Sequence, residues 1–171
     1  MIYEPAEDTF ILAEQVKKLV HGKILDLGTG SGYLAKIALQ NTKDVLASDI
    51  NQECVDYCNK QGIKTIKSNL FSNIKEKFDW IIFNPPYLPD EEKEDKESKL
   101  ITTGGKKGNE ILKRFFSKVK DHLNKNGKIL IVVSSLTPYV ESIITKSGFK
   151  FKILASEKHF FEELIVYLCY E

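Results

Sequence analysis

Short apolar segments alternate with helical segments along this chain, and the alternation limits the possible folds more than any other feature of the sequence. Strands are predicted at 23–26, 45–49, 64–67, 78–83, 128–134, 149–155 and 163–170. Helices are predicted at 9–20, 32–41, 52–61, 109–122 and 137–147. Apolar strands separated by helices indicate an α/β fold with a mostly parallel sheet covered on both faces. Residues 156–162 are too few for a helical crossover, so we expect the last two strands to pair in antiparallel fashion.

Length and charge restrict the domain count and the partners. The 171 residues fit one domain, which we expect to span 1–171. The formal net charge is +1, from 25 basic and 24 acidic side chains. Nucleic-acid binding calls for a clear basic excess, so nucleic acid is not expected as a partner. No apolar run approaches the ~18 residues of a membrane span, so no membrane contact is expected.

The cysteine pattern bears on metal binding and on location. The three cysteines are Cys54, Cys58 and Cys169. Their number is odd and no cluster of Cys and His completes a zinc site, so no metal is predicted. We expect buried free thiols, which persist in a reducing compartment, and therefore a cytoplasmic protein.

The first predicted strand runs into a glycine-rich turn, Asp26-Leu27-Gly28-Thr29-Gly30-Ser31-Gly32. Glycines at such a turn let the backbone approach a ligand closely. The next strand ends at Asp49, where an acid in nucleotide-binding α/β folds reaches the ribose hydroxyls. The glycine spacing departs from the dinucleotide pattern, and the acid before the turn would repel a pyrophosphate. Because that acid suits an ammonium group, the motif favours S-adenosylmethionine over NAD.

A second motif, Asn84-Pro85-Pro86-Tyr87, follows the apolar segment at 78–83 directly. Pro85 and Pro86 lack an N–H group and restrict the residues before them to extended conformations, so the loop is stiff. The Asn84 side-chain oxygen and the Pro85 carbonyl can accept both protons of a planar –NH2 group, and the Tyr87 ring can cover its flat face. A rigid turn after a strand is the simpler interpretation. The glycine-rich motif upstream favours a catalytic site.

Together, residues 26–32, 49–51 and 84–87 resemble the HemK-like group of class I S-adenosylmethionine-dependent methyltransferases. That group methylates the side-chain amide nitrogen of a glutamine. The N-terminal Tyr3-Glu4-Pro5-Ala6-Glu7-Asp8-Thr9-Phe10 and residues 104–110 are similar to its archaeal and eukaryotic branch, which modifies the class I translation termination factor. The Asn-Pro-Pro-Tyr motif is shared with adenine-N6 DNA methyltransferases, so the N-terminal segment is the more specific of these features.

The resemblance implies a seven-stranded Rossmann-like sheet with one antiparallel strand near the C-terminus. It implies catalytic roles for Asn84, Pro85, Pro86 and Tyr87. The expected cofactor-binding residues are Thr9, Asp26, Gly28, Gly30, Asp49, Ile50, Asn69, Leu70 and Asn84. Thr9, Asp26 and Gly28 are expected at the methionine portion. Asp49 is expected at the ribose, Ile50 on the adenine, and Asn69 with Leu70 at the adenine rim. Glu7 and Asp8 are helix N-terminal acids or catalytic groups, and neither is assigned to the site.

The same resemblance implies two protein partners. One is the substrate, the class I release factor with its Gly-Gly-Gln motif, and the other is a small zinc-binding activator at the sheet edge near 64–67. Ile63, Ile66 and Phe71 are candidates for an apolar rim at that edge or for the core. Two other functions remain open: a methyltransferase acting on amino groups of nucleic acid (adenine-N6 or guanine-N2), and a nucleotide-binding or scaffold domain without catalysis.

Overall fold

One seven-stranded sheet organises the computed structural model, which describes residues 2–86 and 108–171 of the chain. The strands are β1 (Ile24–Leu27), β2 (Val45–Asp49), β3 (Thr65–Lys67), β4 (Phe78–Phe83), β5 (Leu123–Ser134), β6 (Lys150–Lys158) and β7 (Glu163–Tyr170). Their order is β3-β2-β1-β4-β5-β7-β6. Strands β1 to β5 pair in parallel, and β7 runs antiparallel to both β5 and β6. The predicted α/β fold with one antiparallel strand is confirmed.

Helices cover both faces of this sheet. They are α1 (Glu7–Leu19), α2 (Tyr33–Ala38), α3 (Gln52–Lys60), α4 (Glu110–Phe116) and α5 (Val140–Lys146), with a 3-10 helix at Val119–His122. Neighbouring strand residues point to opposite faces. Ile82 accordingly packs in one buried cluster with Leu12 of α1, while Ile81 packs in the other with Phe115 of α4. Burial on both faces explains why β4 is apolar almost throughout. No described helix is long and apolar enough to cross a membrane.

Three predicted helices are shorter than the sequence pattern indicated, and one of them, predicted over 32–41, is α2 (Tyr33–Ala38). The segment predicted as one helix over 109–122 is α4 followed by the separate 3-10 helix. Just after α4, the Ser117 hydroxyl donates to the Arg114 carbonyl at 2.8 Å, a local bond that competes with continued helix. The helix predicted over 137–147 begins only at Val140, because Tyr139 before it has φ +63°, in the left-handed region.

The strand order creates a switch point at β1. From β1 the chain proceeds to β2 and β3 on one side, and then crosses to β4 on the other. Leu27, the last residue of β1, lies opposite Ser48 of β2 and Phe83 of β4. The residues that follow these three therefore meet at one edge of the sheet. Ligands of open α/β sheets bind at such a carboxyl edge, beside the switch point.

The β3 edge of the sheet is closed in part by asparagine side chains. Asn59 accepts a hydrogen bond from the Thr65 N–H (3.0 Å) and donates one to the Thr65 carbonyl (2.9 Å). Asn73 donates to the Lys67 carbonyl at 2.8 Å. These bonds satisfy backbone groups that an edge strand would otherwise offer to another chain. Of the residues considered for an apolar rim here, Ile63 and Phe71 are buried in the core and Ile66 is half-buried against it.

Candidate active site

The glycine-rich turn after β1 is held by backbone hydrogen bonds, and its three glycines, including Gly32 at φ +79°, have positive φ. Gly28 has φ +70° and Gly30 has φ +55°, a region that side chains with a Cβ rarely adopt. The Gly28 N–H donates to the Ser48 carbonyl at 2.8 Å, which ties the turn to the end of β2. A Cβ on Gly30 would lie 3.3 Å from the Cβ of Tyr3, so the N-terminal segment passes directly over the turn.

Asp49 links the turn to the end of β2. One carboxylate oxygen accepts the Gly30 N–H at 2.8 Å and the other accepts the Asn51 N–H at 2.9 Å. Burial raises the pKa of Asp49, and these N–H groups oppose the shift. Each carboxylate oxygen has two lone pairs, so both retain capacity to accept ribose hydroxyls. Ile50, next in the chain, has 44% of its side chain exposed, as a platform for an aromatic base requires. The ribose and adenine roles of these two residues stay predictions.

Asp26, at the start of the glycine-rich turn, is a fully buried acid. Its side chain is 0% exposed, and only one carboxylate oxygen, Oδ2, takes a side-chain hydrogen bond, from the Thr29 hydroxyl at 2.6 Å. Among the described residues, Asp26 Oδ1 has no hydrogen-bond partner. Burial raises the pKa of Asp26 to about 6, although hydrogen bonds from the Thr29 hydroxyl and the Ala35 backbone N–H oppose the shift. A buried carboxylate is costly unless a positive charge compensates it, so the site fits a cationic cofactor.

Asn84 stands at the end of β4, beside the glycine turn. Its side chain is half-buried, and its Nδ2 donates to the Thr9 hydroxyl at 3.4 Å. Pro85 is buried and Pro86 is half-buried, so the stiff loop is anchored on the protein. Tyr87, predicted to cover the substrate group, lies outside the described residues.

A hydrogen-bond chain from the N-terminal segment sets the orientation of the Asn84 amide. Asp8 Oδ1 accepts the Tyr3 hydroxyl at 2.7 Å and the Thr9 N–H at 2.6 Å, and the Thr9 hydroxyl lies 3.2 Å from the same oxygen. Burial and the contact with Asp8 raise the pKa of Tyr3, which keeps its hydroxyl a donor. The Thr9 hydroxyl donates its proton to Asp8 Oδ1, so its lone pairs accept from Asn84 Nδ2. This turns Asn84 Oδ1 away from Thr9.

Sequence reasoning left Asp8 out of the site, because acids in the first turn of a helix are common. The structure buries Asp8, at 6% exposed, which a solvated helix N-terminal acid would not require. The signal available in the sequence was the spacing of Tyr3, Asp8 and Thr9 on one entering segment. Thr9 itself was predicted at the cofactor, and the structure adds its contact with Asn84.

The residues predicted at the adenine rim lie just beyond β3. The Ser68 N–H donates to the Asp49 carbonyl at 2.8 Å, so the turn carrying Asn69 and Leu70 begins beside the end of β2. Leu70 has φ +49°, in the left-handed region. Asn69 Oδ1 accepts a hydrogen bond from Arg114 Nη2 at 3.0 Å, so this oxygen faces α4. The rim assignment of both residues stays a prediction.

The placement of β7 identifies the class of protein. Dinucleotide-binding sheets continue in parallel beyond the switch point, whereas here β7 is inserted antiparallel between β5 and β6. The Mtq2 structure from E. cuniculi, solved in a Mtq2–Trm112 complex responsible for methylating the eRF1 termination factor, superposes with a TM-score of 0.81. The match covers 99% of this chain and 98% of that one, at 25% identity. The fold is that of the class I methyltransferases.

Sequence comparison agrees with this class. The model of the methyltransferase small domain matches residues 6–161. A putative protein N5-glutamine methyltransferase of Methanocaldococcus jannaschii is 38% identical over 96% of this chain and 89% of its own length. Human methyltransferase HEMK2 is 31% identical over 77% of this chain and 71% of its own length. The chain belongs to the methyltransferase small domain family, as a member similar to protein N5-glutamine methyltransferases, and S-adenosylmethionine is its methyl donor.

Proposed function

We propose that this methyltransferase methylates the side-chain amide nitrogen of the glutamine in the Gly-Gly-Gln motif of a class I peptide chain release factor. The observation that carries the proposal is the orientation of Asn84, whose Nδ2 is bonded to Thr9 so that Oδ1 is left to accept. The similarity to N5-glutamine methyltransferases supports the same substrate class. A release factor acts on ribosomes, so the reaction belongs to the cytoplasm.

The protein contributes alignment and hydrogen-bond acceptors to this reaction. S-adenosylmethionine, when bound, supplies an electrophilic methyl group on a sulfonium that is a good leaving group. Asn84 Oδ1 and the Pro85 carbonyl accept the two N–H protons of the substrate amide. Drawing on both protons raises the electron density of a nitrogen whose lone pair is otherwise delocalised, and the methylated amide then releases one proton to water. The stiff Pro85-Pro86 loop holds this nitrogen in line with the methyl group. This alignment lowers the activation free energy of methyl transfer.

The cofactor contacts follow from the other half of the site. Asp49 accepts the ribose hydroxyls, and Ile50 packs on the adenine. Asn69 and Leu70 lie at the rim of the adenine pocket. The Gly28 and Gly30 backbone lies against the methionine portion, and the Asp26 charge stabilises its ammonium group through the turn. Thr9 contributes from the segment that passes over the site, and Tyr87 covers the substrate amide.

For the activator we propose a small zinc-binding protein that binds at the β3 edge; the similar Mtq2 structure was solved in complex with a second protein, Trm112. The edge position of β3 supports this. Asn59 and Asn73 already satisfy backbone groups of Thr65 and Lys67, so the activator contacts side chains at this edge or displaces these asparagines. The half-buried Ile66 is the apolar contact available there.

The test incubates the protein with isotope-labelled cofactor and four acceptors, with and without the activator. The acceptors are the release factor, its variant with alanine for the motif glutamine, DNA and ribosomal RNA. We expect label on the intact release factor alone, with mass spectrometry locating one added methyl group on the glutamine. Label on both release factors would contradict the glutamine assignment. Label on nucleic acid alone would establish the alternative, a methyltransferase of nucleic-acid amino groups.

A further inference from the structure

Four large side chains project into solvent from two adjacent loops of the described structure. Leu136 is 50% exposed, Tyr139 75%, Phe160 93% and Phe161 84%. The two phenylalanine rings contact each other edge to face, with centroids 4.8 Å apart and planes at 77°. Almost complete exposure of paired aromatic rings is costly for an isolated protein and marks interaction sites. These four residues are called the apolar patch below.

Local hydrogen bonds hold the two loops together. The Ser135 N–H donates to the Glu163 carbonyl at 2.8 Å, and the Glu163 N–H donates to the Ser135 hydroxyl at 2.9 Å. Within the hairpin between β6 and β7, the His159 N–H donates to the Glu162 carbonyl at 2.8 Å and closes the turn that carries both phenylalanines. Tyr139 adopts φ +63°, a strained backbone conformation for an aromatic residue. The apolar patch therefore lies on loops whose backbone is fixed by hydrogen bonds.

The apolar patch lies at the same edge of the sheet as Asn84. Phe83, just before Asn84, pairs with Ile131 of β5, and β5 ends three residues later at Ser134 opposite Leu164 of β7. The loop carrying Leu136 and Tyr139 and the β6–β7 turn both extend beyond this point. Strands lie about 4.8 Å apart, so β7 is roughly 10 Å to the side of β4. A protein that places a side chain at Asn84 therefore reaches the patch.

The charges around the hairpin bear on whether the patch binds a nucleic acid or a protein. Glu157, Glu162 and Glu163 flank the two phenylalanines, with Lys158 as the nearby strong cation and His159 within 3.3 Å of Glu157. The acidic hairpin repels the phosphate backbone of RNA or DNA, although aromatic rings can stack on bases. Lys113 and Lys146 line the cavity beside Tyr139, so the other end of the patch is basic. Exposed aromatic rings with neighbours of both charges match a protein surface.

We propose that the apolar patch docks the body of the protein substrate beside the loop that carries the target glutamine. This inference rests on the proposed function and adds where the substrate binds. A single glutamine side chain offers little contact area, so specific recognition must come from remote contacts. Exposed aromatic residues are the side chains that most often contribute such binding energy at protein interfaces.

The test compares an intact substrate with a short one. Phe160→Ser combined with Phe161→Ser is assayed on the whole release factor and on a short peptide containing Gly-Gly-Gln. We expect KM for the whole factor to rise about tenfold or more. The value of kcat, the activity on the peptide and the affinity for S-adenosylmethionine should stay as in the wild type. The matched control is Leu39→Ser, a partly exposed leucine at the C-terminal end of α2, which follows β1 and returns to the opposite edge.

Other results would overturn the docking proposal, and they distinguish its failure from failure of the proposed function. Unchanged KM for the whole factor, or an equal loss on factor and peptide, contradicts docking at the patch while the function stands. A wild-type dimer that the double variant converts to monomer in sedimentation assigns the patch to a second copy of this chain. Loss of RNA binding with unchanged methylation of the factor assigns it to nucleic acid. If the wild type methylates neither factor nor peptide, the proposed function fails and this inference fails with it.

Discussion

The two sides of the carboxyl edge are built in opposite ways. On the side of β1 and β2, polar groups are buried: Asp26 and Ser48 have no exposed surface and Asp49 is 8% exposed. On the side of β5 and β7, apolar groups are exposed, with Phe160 and Phe161 almost entirely in solvent. Each side departs from the ordinary distribution of residues, in which polar groups are wet and large apolar ones are covered.

The contrast indicates what each side binds. A small cofactor always presents the same charges, so a closed and preorganised set of buried carboxylates can serve it. A protein substrate arrives with its own surface, so the matching contacts stay exposed until it docks. Asn84 lies between the two sides, after β4 and next to the glycine turn. Substitutions on the two sides should therefore separate cofactor affinity from the affinity for the protein substrate.

The largest expected effect is on turnover, from Asn84→Ala. Loss of the acceptor should lower the rate of methyl transfer about 10²- to 10³-fold, as for removal of one preorganised catalytic hydrogen bond. Cofactor affinity, measured by calorimetry, should change little, because the glycine turn and Asp49 are untouched. The control is Asn124→Ala, at the start of β5 and so at the opposite edge. Full activity in Asn84→Ala would show that the amide oxygen is not the acceptor.

Asp26→Asn should stabilise the cofactor-free protein while weakening cofactor binding. The folded-state pKa of about 6 exceeds the ordinary 3.8, so the neutral carboxyl is favoured on folding. Its contribution to stability is complete below pH 3.8 and is lost as pH rises through 6. At pH 7.5 the variant should gain up to about 3 kcal/mol in free energy of unfolding, and the gain should shrink towards pH 4.

Urea denaturation at several pH values measures this gain, with Asp44→Asn as the control at an exposed aspartate. If the difference in free energy of unfolding between variant and wild type did not vary with pH, burial of the Asp26 charge would not be the cause of the gain. Tighter cofactor binding in Asp26→Asn would show that the carboxylate does not compensate a cation.

Asp49→Ala should act on the cofactor side with a smaller effect. The substitution removes the acceptor for the Gly30 and Asn51 N–H groups, together with any ribose contact. We expect the cofactor Kd to rise about 30-fold, or about 2 kcal/mol, as for a hydrogen-bonded charged group. Turnover at saturating cofactor should be close to that of the wild type. Asp56→Ala, at an exposed position of α3, is the calorimetric control, and equal affinities in the two variants would remove Asp49 from the cofactor site.

The same contrast explains how much could be predicted from sequence. The glycine turn and the residues ending β2 and β4 were located because strand ends and positive-φ positions leave local signals. The antiparallel β7 followed from the short link before it. The burial of Asp8, the capping of β3 by Asn59 and the exposure of Phe160 could not be predicted, because each depends on what tertiary packing brings near a residue. The helix at 109–122 was predicted too long because the hydrophobic pattern carries no signal for the hydrogen bond from the Ser117 hydroxyl to the Arg114 carbonyl.

The smallest expected effect, from Thr9→Val, tests whether the N-terminal segment orients Asn84, which lies between the two sides. Valine keeps the shape of threonine but removes the hydroxyl that accepts from Asn84 Nδ2 and donates to Asp8. If Thr9 orients the Asn84 amide, kcat should fall about fivefold, or about 1 kcal/mol, with the cofactor Kd unchanged. Thr9→Ser keeps the hydroxyl and should restore kcat. If Thr9 instead contacts the cofactor, Kd should rise in the valine variant with kcat at saturation unchanged. A purely structural role would change the free energy of unfolding and leave both kcat and Kd unchanged. Measuring kcat by stopped flow and Kd by calorimetry therefore separates an orienting role, a cofactor contact and a structural role.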